Sequence, residues 1–396
     1  MRALRAQLWD RLRLNFFVYP GVVRFRAADC LMPYYRWRQS RLTSLQIIVN
    51  AIVWACFQVW LPGRARSVAR HWGKDRSWQQ FARRTGREWM VDPEDLATFA
   101  IERPDDLRFY MRRMDQIQVV RTIEGPATDH SPGLIEKDLF QSRCDAAGLP
   151  VPGLLATIDA GRALIHANEP LPRSAIVKPV RESGGKGILA IDGFDIASLR
   201  EFATRLSRGR YVVQERLQPH PALAGLALHA LPTLRVTTML DERDQPEVVH
   251  AALRFAAAPE AFVDNGHAGG LVGPVDMAAG VLRAGISGWR PGRYAVHPAT
   301  GAPIEGVALP DWQEALALAR EAHAKMFAPH VIIGWDIGLS DHGPALVEAN
   351  QRPAARLTQR SAGIGIGATR YGELIEHHLR RAIETGRNNP RKLSTG

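Results

Sequence analysis

Residues 334–350 read Gly334-Trp-Asp-Ile-Gly-Leu-Ser-Asp-His-Gly-Pro-Ala-Leu-Val-Glu-Ala-Asn350, two apolar runs joined by a Ser-Asp-His-Gly-Pro turn. This pattern predicts a β-hairpin. With the turn centred on His342, Asp336 lies opposite Glu348, and Asn350 shares the face of Glu348 because side chains two residues apart point the same way. A solvated hairpin face is the alternative, but the apolar neighbours favour burial. Two carboxylates and an amide are hard oxygen ligands of the kind that hold Mg²⁺ jointly with phosphates, so we predict a metal site here.

A second stretch, Ile176-Val-Lys-Pro-Val-Arg-Glu-Ser-Gly-Gly-Lys-Gly-Ile188, predicts a strand, a glycine-rich loop and a returning strand. Consecutive glycines allow backbone N–H groups to turn toward an anion, and Lys178 on the first strand adds a positive charge. The loop differs from a P-loop because Lys186 is followed by glycine and then by a strand. Taken alone, the stretch also fits a plain flexible hairpin turn.

The chain from about residue 130 onward alternates short β-branched runs with helical patterns, which predicts an α+β fold with mostly antiparallel strand pairs. The predicted strands are 175–180, 187–191, 211–215, 234–240, 247–255, 331–337 and 345–350. The predicted helices are 135–147, 196–207, 311–327 and 371–383.

Charge is distributed unevenly along the 396 residues. The net charge is +11, yet residues 1–90 hold 17 Lys/Arg against four acids, a net of +13, so the remainder is close to neutral. This asymmetry indicates that the N-terminal region meets an anionic surface, whether membrane, nucleic acid or acidic partner. Nucleic acid is disfavoured, because the charge lies in an apolar, tryptophan-containing region without a nucleic-acid-binding motif.

The N-terminal region also contains the longest apolar run, Leu45–Leu61, which Gln46, Asn50 and Gln58 interrupt. Its 17 residues are too short and too polar for the membrane-spanning helix of about 20 residues. A buried helix is the first expectation, and a helix lying in a membrane interface is the alternative.

Overall composition excludes several classes of protein. Hydrophobic residues make up 46% and charged residues 23%, which is ordinary for a globular chain and excludes a fibrous or mainly disordered one. The three cysteines, Cys30, Cys56 and Cys144, form no Cys-x-x-Cys pair, which argues against a disulfide scaffold or cysteine-ligated zinc. Reduced thiols fit a cytoplasmic protein.

The motifs and their order resemble the ATP-grasp superfamily, and within it the sugar-transfer-associated ATP-grasp proteins. The resemblance covers about residues 120–385. It is carried by Lys178-Pro-x-x-x-Ser-Gly-Gly-Lys-Gly187, Gln214-Glu-Arg-Leu217, Thr233-Leu-Arg-Val236, Asp264-Asn-Gly-His-x-Gly-Gly270 and Gly334-Trp-Asp-Ile337.

This resemblance implies an ATP-grasp fold, in which two α+β subdomains grip ATP, preceded by a basic, mainly helical N-terminal region. The domains predicted on this basis are 1–125, 126–385 and a disordered tail, 386–396.

The resemblance also implies roles for individual residues. The phosphates of ATP would meet two lysines and a loop, namely Lys137, Lys178, Ser183, Gly184, Gly185, Lys186 and Gly187. The adenosine would meet the hinge residues Gln214, Glu215 and Leu217, with His220 toward the ribose. Charge on the transferring phosphoryl group would be stabilised by Arg235 and Arg254, a task suited to a guanidinium fork. Metal would be held by Asp336, Glu348 and Asn350, and the substrate by Asp264, Asn265 and His267.

The activity that the resemblance implies is an ADP-forming carboxylate–amine ligase that uses ATP and Mg²⁺, with Mn²⁺ as an alternative, and makes an acyl-phosphate. Cell-surface glycan or secondary-metabolite synthesis would be its setting. The expected partners are a small carboxylate and an amine, with the N-terminal region against the inner face of an anionic membrane. A phosphotransferase acting on a hydroxyl and a non-catalytic nucleotide-binding membrane adaptor are the alternatives.

Overall fold

The computed structural model describes residues 26–125, 131–182, 184–258, 269–288 and 290–385. Two compact units divide the chain, Thr128–Pro353 and a second unit made of Met1–Ala127 with Ala354–Gly396. The tail 386–396, expected to be disordered, lies outside the described residues.

The unit Thr128–Pro353 contains a five-stranded antiparallel sheet in the order β2-β1-β5-β3-β4. Its strands are β1 Leu154–Asp159, β2 Arg162–Ile165, β3 Ser174–Pro179, β4 Leu189–Asp192 and β5 Arg210–Glu215. Helix α7, Ile196–Arg205, packs on one face through Leu199 and Ala203, against Val177 and Val213 of the sheet. Strands β3 and β5 and helix α7 thereby share a small apolar core of their own.

The same unit contains a larger antiparallel sheet in the order β11-β10-β8-β7-β6-β12-β13, with β9 paired to β8. Its strands are β6 Thr233–Leu240, β7 Pro246–Phe255, β8 Leu271–Asp276, β9 Val281–Leu282, β10 Gly285–Ser287, β11 Arg293–Tyr294, β12 Ile332–Ser340 and β13 Gly343–Asn350. Helices α6, Lys137–Ala147, and α9, Trp312–Met326, belong to the apolar core on one face of this sheet. Trp335 is fully buried in that core, and its indole N–H donates to Thr238 Oγ1 at 2.9 Å.

The segment that follows β5 runs beside the β12–β13 hairpin. The backbone N–H of His220 donates to the Leu339 carbonyl at 2.9 Å, and that of Asp341 donates to the Gln218 carbonyl at 3.1 Å. A short 3₁₀ turn, Pro221–Leu223, and helix α8, Ala224–Ala227, then lead into β6. The hinge is therefore tied by backbone hydrogen bonds to the hairpin that carries the predicted metal ligands.

The other unit is helical, with no strand among its described residues. Its helices are α1 Met32–Gln39, α2 Ser44–His71, α3 Arg76–Trp89, α4 Pro93–Thr98, α5 Arg113–Glu124, α10 Ala355–Ala362 and α11 Arg370–Glu384. Three 3₁₀ turns, Asp29–Leu31, Pro104–Phe109 and Ile366–Ala368, join them.

Residues beyond 353 belong with the N-terminal helices, unlike the predicted grouping of 126–385 as one domain. Buried polar contacts explain this difference. The Gln359 side chain binds both the N–H and the C=O of Met111, and Arg356 pairs with Glu94 at 3.3 Å and donates to Thr98. If these buried polar groups were unpaired, each would carry a desolvation cost. Their hydrogen bonds and the ion pair therefore bind α10 to the N-terminal unit.

Helix α2 is longer than the predicted apolar run. Thr43 begins it with a capping box, in which Thr43 Oγ1 accepts from the Gln46 N–H at 3.3 Å and Gln46 Oε1 accepts from the Thr43 N–H at 3.0 Å. Pro62 lies inside the helix without ending it. Leu61, Ala65 and Val68 are buried in the unit.

The expectation of a buried helix is wrong for the N-terminal part of α2. Among the described residues, α2 is the one helix long and apolar enough to cross a membrane by length and composition; its most apolar 18-residue window has a mean hydropathy of 1.6 and is 11% buried. Hydrophobicity alone predicted burial, whereas the fold packs only the C-terminal part against other helices.

Candidate active site

Four charged side chains lie in a row across adjacent strands β7, β6, β12 and β13. Arg235 pairs in register with Asp336, and Asp336 with Glu348, while Arg254 on β7 lies opposite Thr233 on β6. Trp335 faces the apolar core, so the alternation of side chains turns Asp336 to the opposite face of the sheet. One face of four strands thus gathers two guanidiniums and two carboxylates.

A β-bulge sets this register. The turn consists of two residues, Asp341 and His342, so pairing from the turn outward would set Asp336 against Val347. The pairing shifts by one residue between Asp336 and Ile337, which brings Glu348 opposite Asp336 and Asn350 opposite Gly334. The predicted facing of the two carboxylates is therefore confirmed, although the bulge rather than the position of the turn produces it.

Asp336 is enclosed by both predicted catalytic arginines. Arg235 donates to both carboxylate oxygens, with Nη2 at 3.1 Å from Oδ2, and Arg254 Nη2 lies 3.0 Å from the same Oδ2. Burial alone would raise the pKa of Asp336, but the two guanidiniums outweigh it and lower the pKa below its usual value. Asp336 therefore stays ionised and fixes the direction of both arginines.

Thr233 is a further member of this group that the sequence analysis did not single out. Its hydroxyl accepts from Arg254 Nη2 at 2.9 Å and from Nε at 3.3 Å. The signal was present, because Thr233 begins the Thr-Leu-Arg-Val motif and shares a sheet face with Arg235. The hydroxyl adds a second fixed contact to Arg254.

Glu348 differs from Asp336 in having no hydrogen-bond or ion-pair partner among the described residues. Burial raises its pKa and the Asp336 carboxylate raises it further, against the lowering effect of Lys137, Arg235 and Lys178. The side-chain nitrogen of Asn350 is also buried without a partner.

A buried carboxylate without a partner, with Asp336 directly across and the Asn350 side chain on the same face, fits a divalent cation with oxygen ligands. Within the described ranges, no three His, Cys, Asp or Glu side chains group as a metal site, so the set depends on the amide oxygen of Asn350.

Two lysines approach the carboxylates from the other side of the unit. Lys178, on β3, is half-buried; burial lowers its pKa to about 8, with a further lowering by Lys137, while Glu348 and Asp336 act in the opposite direction. Lys137 begins α6, where its backbone N–H donates to the Val180 carbonyl at 3.1 Å and its Nζ to the Glu182 carbonyl. Both ammonium groups therefore lower the pKa of Glu348.

The glycine-rich loop between β3 and β4 requires glycine. Gly184, Gly185 and Gly187 have φ of 71°, 75° and 71°, the left-handed region in which other L-residues are strained. A Cβ on Gly187 would also lie 2.9 Å from Pro179 Cγ. Lys186 is exposed on the loop, and Ser183 lies outside the described residues.

The hinge side chains mostly contact the protein itself. Gln214 is buried and donates to Gln141 Oε1 at 2.6 Å, and Glu215 Oε1 accepts from the Gly153 N–H at 2.9 Å. His220 Nδ1 accepts from the Ala222 N–H at 3.1 Å. Of the predicted adenosine contacts, these three have internal partners that fix the hinge, and Leu217 is half-buried near Gly338. The predicted substrate residues Asp264, Asn265 and His267 lie outside the described residues.

The model of one protein family, "Sugar-transfer associated ATP-grasp", matches residues 127–370. The chain belongs to this family. The ATP-grasp assignment and the α+β fold expected from it are thereby confirmed. The match includes every predicted site residue, from Lys137 to Asn350.

Solved structures of ligases also resemble part of this ATP-grasp protein. An L-amino acid ligase from Bacillus licheniformis is 14% identical over 63% of this chain and 48% of its own, with a TM-score of 0.37. A D-alanine–D-alanine ligase from Bacillus anthracis is 14% identical over 65% and 70%, with a TM-score of 0.37. A D-Ala:D-Ser ligase from Enterococcus faecalis is 15% identical over 63% and 62%, with a TM-score of 0.36.

The chain therefore spans about half of the first of these ligases. No curated protein matches the sequence.

Proposed function

We propose that this protein is an ATP- and Mg²⁺-dependent ligase that activates a carboxylate as an acyl-phosphate, releases ADP and joins the acyl group to an amine. One observation carries the proposal: the row Arg254, Arg235, Asp336 and Glu348 across four strands faces the half-buried Lys178. Positive groups surround a face that also holds the unpartnered carboxylate of Glu348, which suits a polyphosphate and its metal ion.

The role proposed for each residue follows from its charge. Lys137 and Lys178 would neutralise phosphate oxygens, and the backbone of the loop containing Gly184, Gly185 and Gly187 would cover them. Glu348, Asn350 and Asp336 would hold Mg²⁺, which when bound neutralises phosphate charge.

Arg235 and Arg254 are aimed by Asp336 and would stabilise negative charge as the γ-phosphoryl group transfers. Each of these residues is assigned a binding or charge-stabilising role, so positioning and charge neutralisation would account for the catalysis.

The reaction is balanced in two steps. A substrate carboxylate oxygen attacks the γ-phosphorus, the bond from that phosphorus to the β–γ bridging oxygen breaks, and ADP leaves. The amine nitrogen then attacks the acyl carbon, phosphate leaves, and the nitrogen loses a proton to give the amide. A cytoplasmic site is proposed with this reaction, as ATP is there; synthesis of a cell-surface glycan or a secondary metabolite is the proposed setting.

The experiment is a screen of the full chain with ATP, Mg²⁺ and a panel of carboxylic acids, with hydroxylamine as the trapping nucleophile. An acyl-phosphate is electrophilic at carbon, so the right acid yields a hydroxamate and one ADP per hydroxamate. AMP as the nucleotide product would exclude transfer of the γ-phosphoryl group. A stable phosphate ester formed with ADP would assign a phosphotransferase, and binding of ATP without turnover on any acid or alcohol would favour the non-catalytic adaptor.

A further inference from the structure

The N-terminal part of α2 exposes its apolar face and turns its polar residues inward. Ile48 and Ile52 are each 57% exposed and Val59 is 84% exposed, whereas Asn50 is buried and Gln46 half-buried. A surface helix in water does the opposite and faces the core with its apolar stripe. A contiguous exposed apolar face of this kind marks an interaction site.

Along the sequence, the charged residues that flank this segment stand at its two ends. No Asp, Glu, Lys or Arg occurs from Leu42 to Gly63, and arginines stand immediately outside, at Arg41 and Arg64. The C-terminal part of α2 is packed into the protein through Leu61, Ala65 and Val68. An apolar segment with arginines at both ends, fixed at one end to a folded unit, suits a lipid bilayer, where apolar side chains meet acyl chains and arginines meet headgroup phosphates.

An arginine-lined cavity of about 570 Å³ opens between α2 and α3. Its lining includes Trp54, Gln80, Arg83, Arg84, Arg87 and Glu88. Trp54 belongs to the apolar segment of α2, so this helix contributes both to the lining of the cavity and to the exposed apolar surface.

The cavity has an excess of positive charge. Arg87 Nε donates to the neutral Gln58 amide at 3.1 Å, and the carboxylate of Glu88 is paired with Arg26 at 2.8 Å. Arg83 and Arg84 are exposed and have no hydrogen-bond or ion-pair partner among the described residues. Three guanidiniums without a free carboxylate nearby form a site for a phosphate-type anion, which arginine binds through two parallel hydrogen bonds.

We propose that the apolar face of α2 and the arginine cavity together dock on an anionic phospholipid bilayer, with a headgroup phosphate in the cavity and Ile48, Ile52 and Val59 at the acyl boundary. Charge complementarity selects this occupant. A second copy of the chain would bring its own arginines against these, and like charges oppose such contacts. A bilayer instead supplies the apolar contact and the phosphate at adjacent depths.

The test is flotation of the full chain with vesicles of phosphatidylcholine, with and without phosphatidylglycerol. We expect partitioning to the anionic vesicles that weakens with added salt. The double variant Arg83→Gln/Arg84→Gln should partition about 30-fold less, since each arginine at an anionic surface contributes about a factor of five to six. Ile48→Ser/Ile52→Ser should lose vesicle binding while the arginines remain.

Matched controls lie in the other unit. Arg162→Gln/Arg200→Gln removes the same charge from exposed arginines of β2 and α7, and Leu164→Ser removes an apolar side chain that is 65% exposed. Both controls should bind vesicles as the unmodified chain does. Circular dichroism checks that each variant is folded. If Arg83→Gln/Arg84→Gln unfolds, Arg83→Lys/Arg84→Lys replaces it. This second variant should keep most of the partitioning to anionic vesicles, because the charge is kept, and should lose the arginine-specific preference for phosphate.

Several outcomes would overturn the proposal. Equal losses in the two arginine pairs would mean a general charge effect without a headgroup site. Calorimetric binding of inorganic phosphate that needs Arg83 and Arg84, without vesicle partitioning, would assign a free-anion site. A dimer that Ile48→Ser/Ile52→Ser dissociates, without vesicle binding, would make a second copy the occupant. Vesicle binding that resists both high salt and alkaline washing would make α2 a spanning helix.

Discussion

The two units differ in how far the apolar residues named here are buried and the charged residues are paired. In Thr128–Pro353, Trp335 and its neighbours fill the core of the large sheet, and the buried Asp336 is balanced by two arginines. In the N-terminal unit, Ile52 is exposed and Arg83 and Arg84 are unpartnered among the described residues. In the first unit the buried charge of Asp336 is balanced within the protein, whereas the exposed apolar and basic side chains of the second unit are those proposed above to dock on a bilayer.

Within the first unit, Asp336 and Glu348 show the same difference between a charge that has protein partners and a charge that has none among the described residues. Asp336 has its charge satisfied by Arg235 and Arg254, but Glu348 has no hydrogen-bond or ion-pair partner among the described residues, and neither does the side-chain nitrogen of Asn350. Asp336 orients the two arginines as well as being a proposed metal ligand, whereas Glu348 is proposed as a metal ligand alone, so substitution of Glu348 tests the ligand role by itself.

The largest effect is expected for Glu348→Ala. Loss of one oxygen ligand should lower kcat at least roughly 100-fold, corresponding to about 3 kcal/mol of transition-state stabilisation by the metal. The melting temperature should not fall, because the change removes a carboxylate whose pKa is raised by burial and by Asp336. Glu305→Ala, an exposed glutamate of the same unit, is the control and should leave kcat unchanged. Unchanged activity of Glu348→Ala at limiting Mg²⁺ would remove Glu348 from the metal site.

The next effect separates the two parts of α2. Leu61 is 1% exposed and would contact a Cβ placed on Gly86, so Leu61→Ala should cost about 2–4 kcal/mol of unfolding free energy. Ile52→Ala should cost less than about 0.5 kcal/mol, because the side chain is exposed. Urea denaturation in the absence of lipid measures both. Similar costs at the two positions would show that Ile52 is packed in the free protein.

Lys178 is an exception within the first unit, because its positive charge is poorly stabilised by the residues around it. Its pKa falls from 10.5 to about 8, so the folded state disfavours the ammonium form. The full penalty applies below pH 8 and fades as pH rises from 8 toward 10.5, where the unfolded chain also loses the proton.

Lys178→Met should therefore raise the unfolding free energy at neutral pH by roughly 1–3 kcal/mol while abolishing turnover. Thermal unfolding across this pH range should show the gain shrinking as pH rises. In the unmodified chain, ATP affinity should weaken above pH 8 as Lys178 loses its charge. Lys186→Met, at an exposed position, should leave stability unchanged at every pH; an identical stability gain there would argue against burial as the cause.

The sequence predicted the strands that carry the site better than the contacts that support it. All seven predicted strands are present, and the alternation of side chains placed Asp336, Glu348 and Asn350 on one face. The attachment of Asp336 to Arg235 and Arg254 was not predicted, because it depends on the order β7-β6-β12 of strands that are distant in sequence. Residue types predict what a group can bind, and only the sheet order determines what it does bind.

Two other features escaped prediction for local reasons. The hairpin β1–β2 turns through Ala160 and Gly161, with φ of 46° and 81°, and Ala is not a residue that signals such a turn. The exposure of α2 was missed because an apolar run indicates a need for apolar contact but not which partner supplies it. The first is an error of turn chemistry, whereas the second is an ambiguity that only the packing of neighbouring helices resolves.

The smallest effect concerns the loop over the proposed phosphates, where two glycines allow a controlled comparison. Gly187 and Gly193 flank β4 with φ of 71° and 61°, so alanine at either position should cost about 1 kcal/mol of backbone strain. Only at Gly187 would the new Cβ meet a neighbour, Pro179 Cγ at 2.9 Å, whereas nothing lies within 4 Å at Gly193.

Gly187→Ala should therefore shift the loop and weaken binding of a non-hydrolysable ATP analogue severalfold, while Gly193→Ala should lower stability alone. Calorimetric titration of the analogue with Mg²⁺, beside thermal unfolding of each variant, measures the two effects separately. Equal affinities in the two variants would mean that the loop does not cover the phosphates, whereas a loss confined to Gly187→Ala would place the nucleotide against this turn of the first unit.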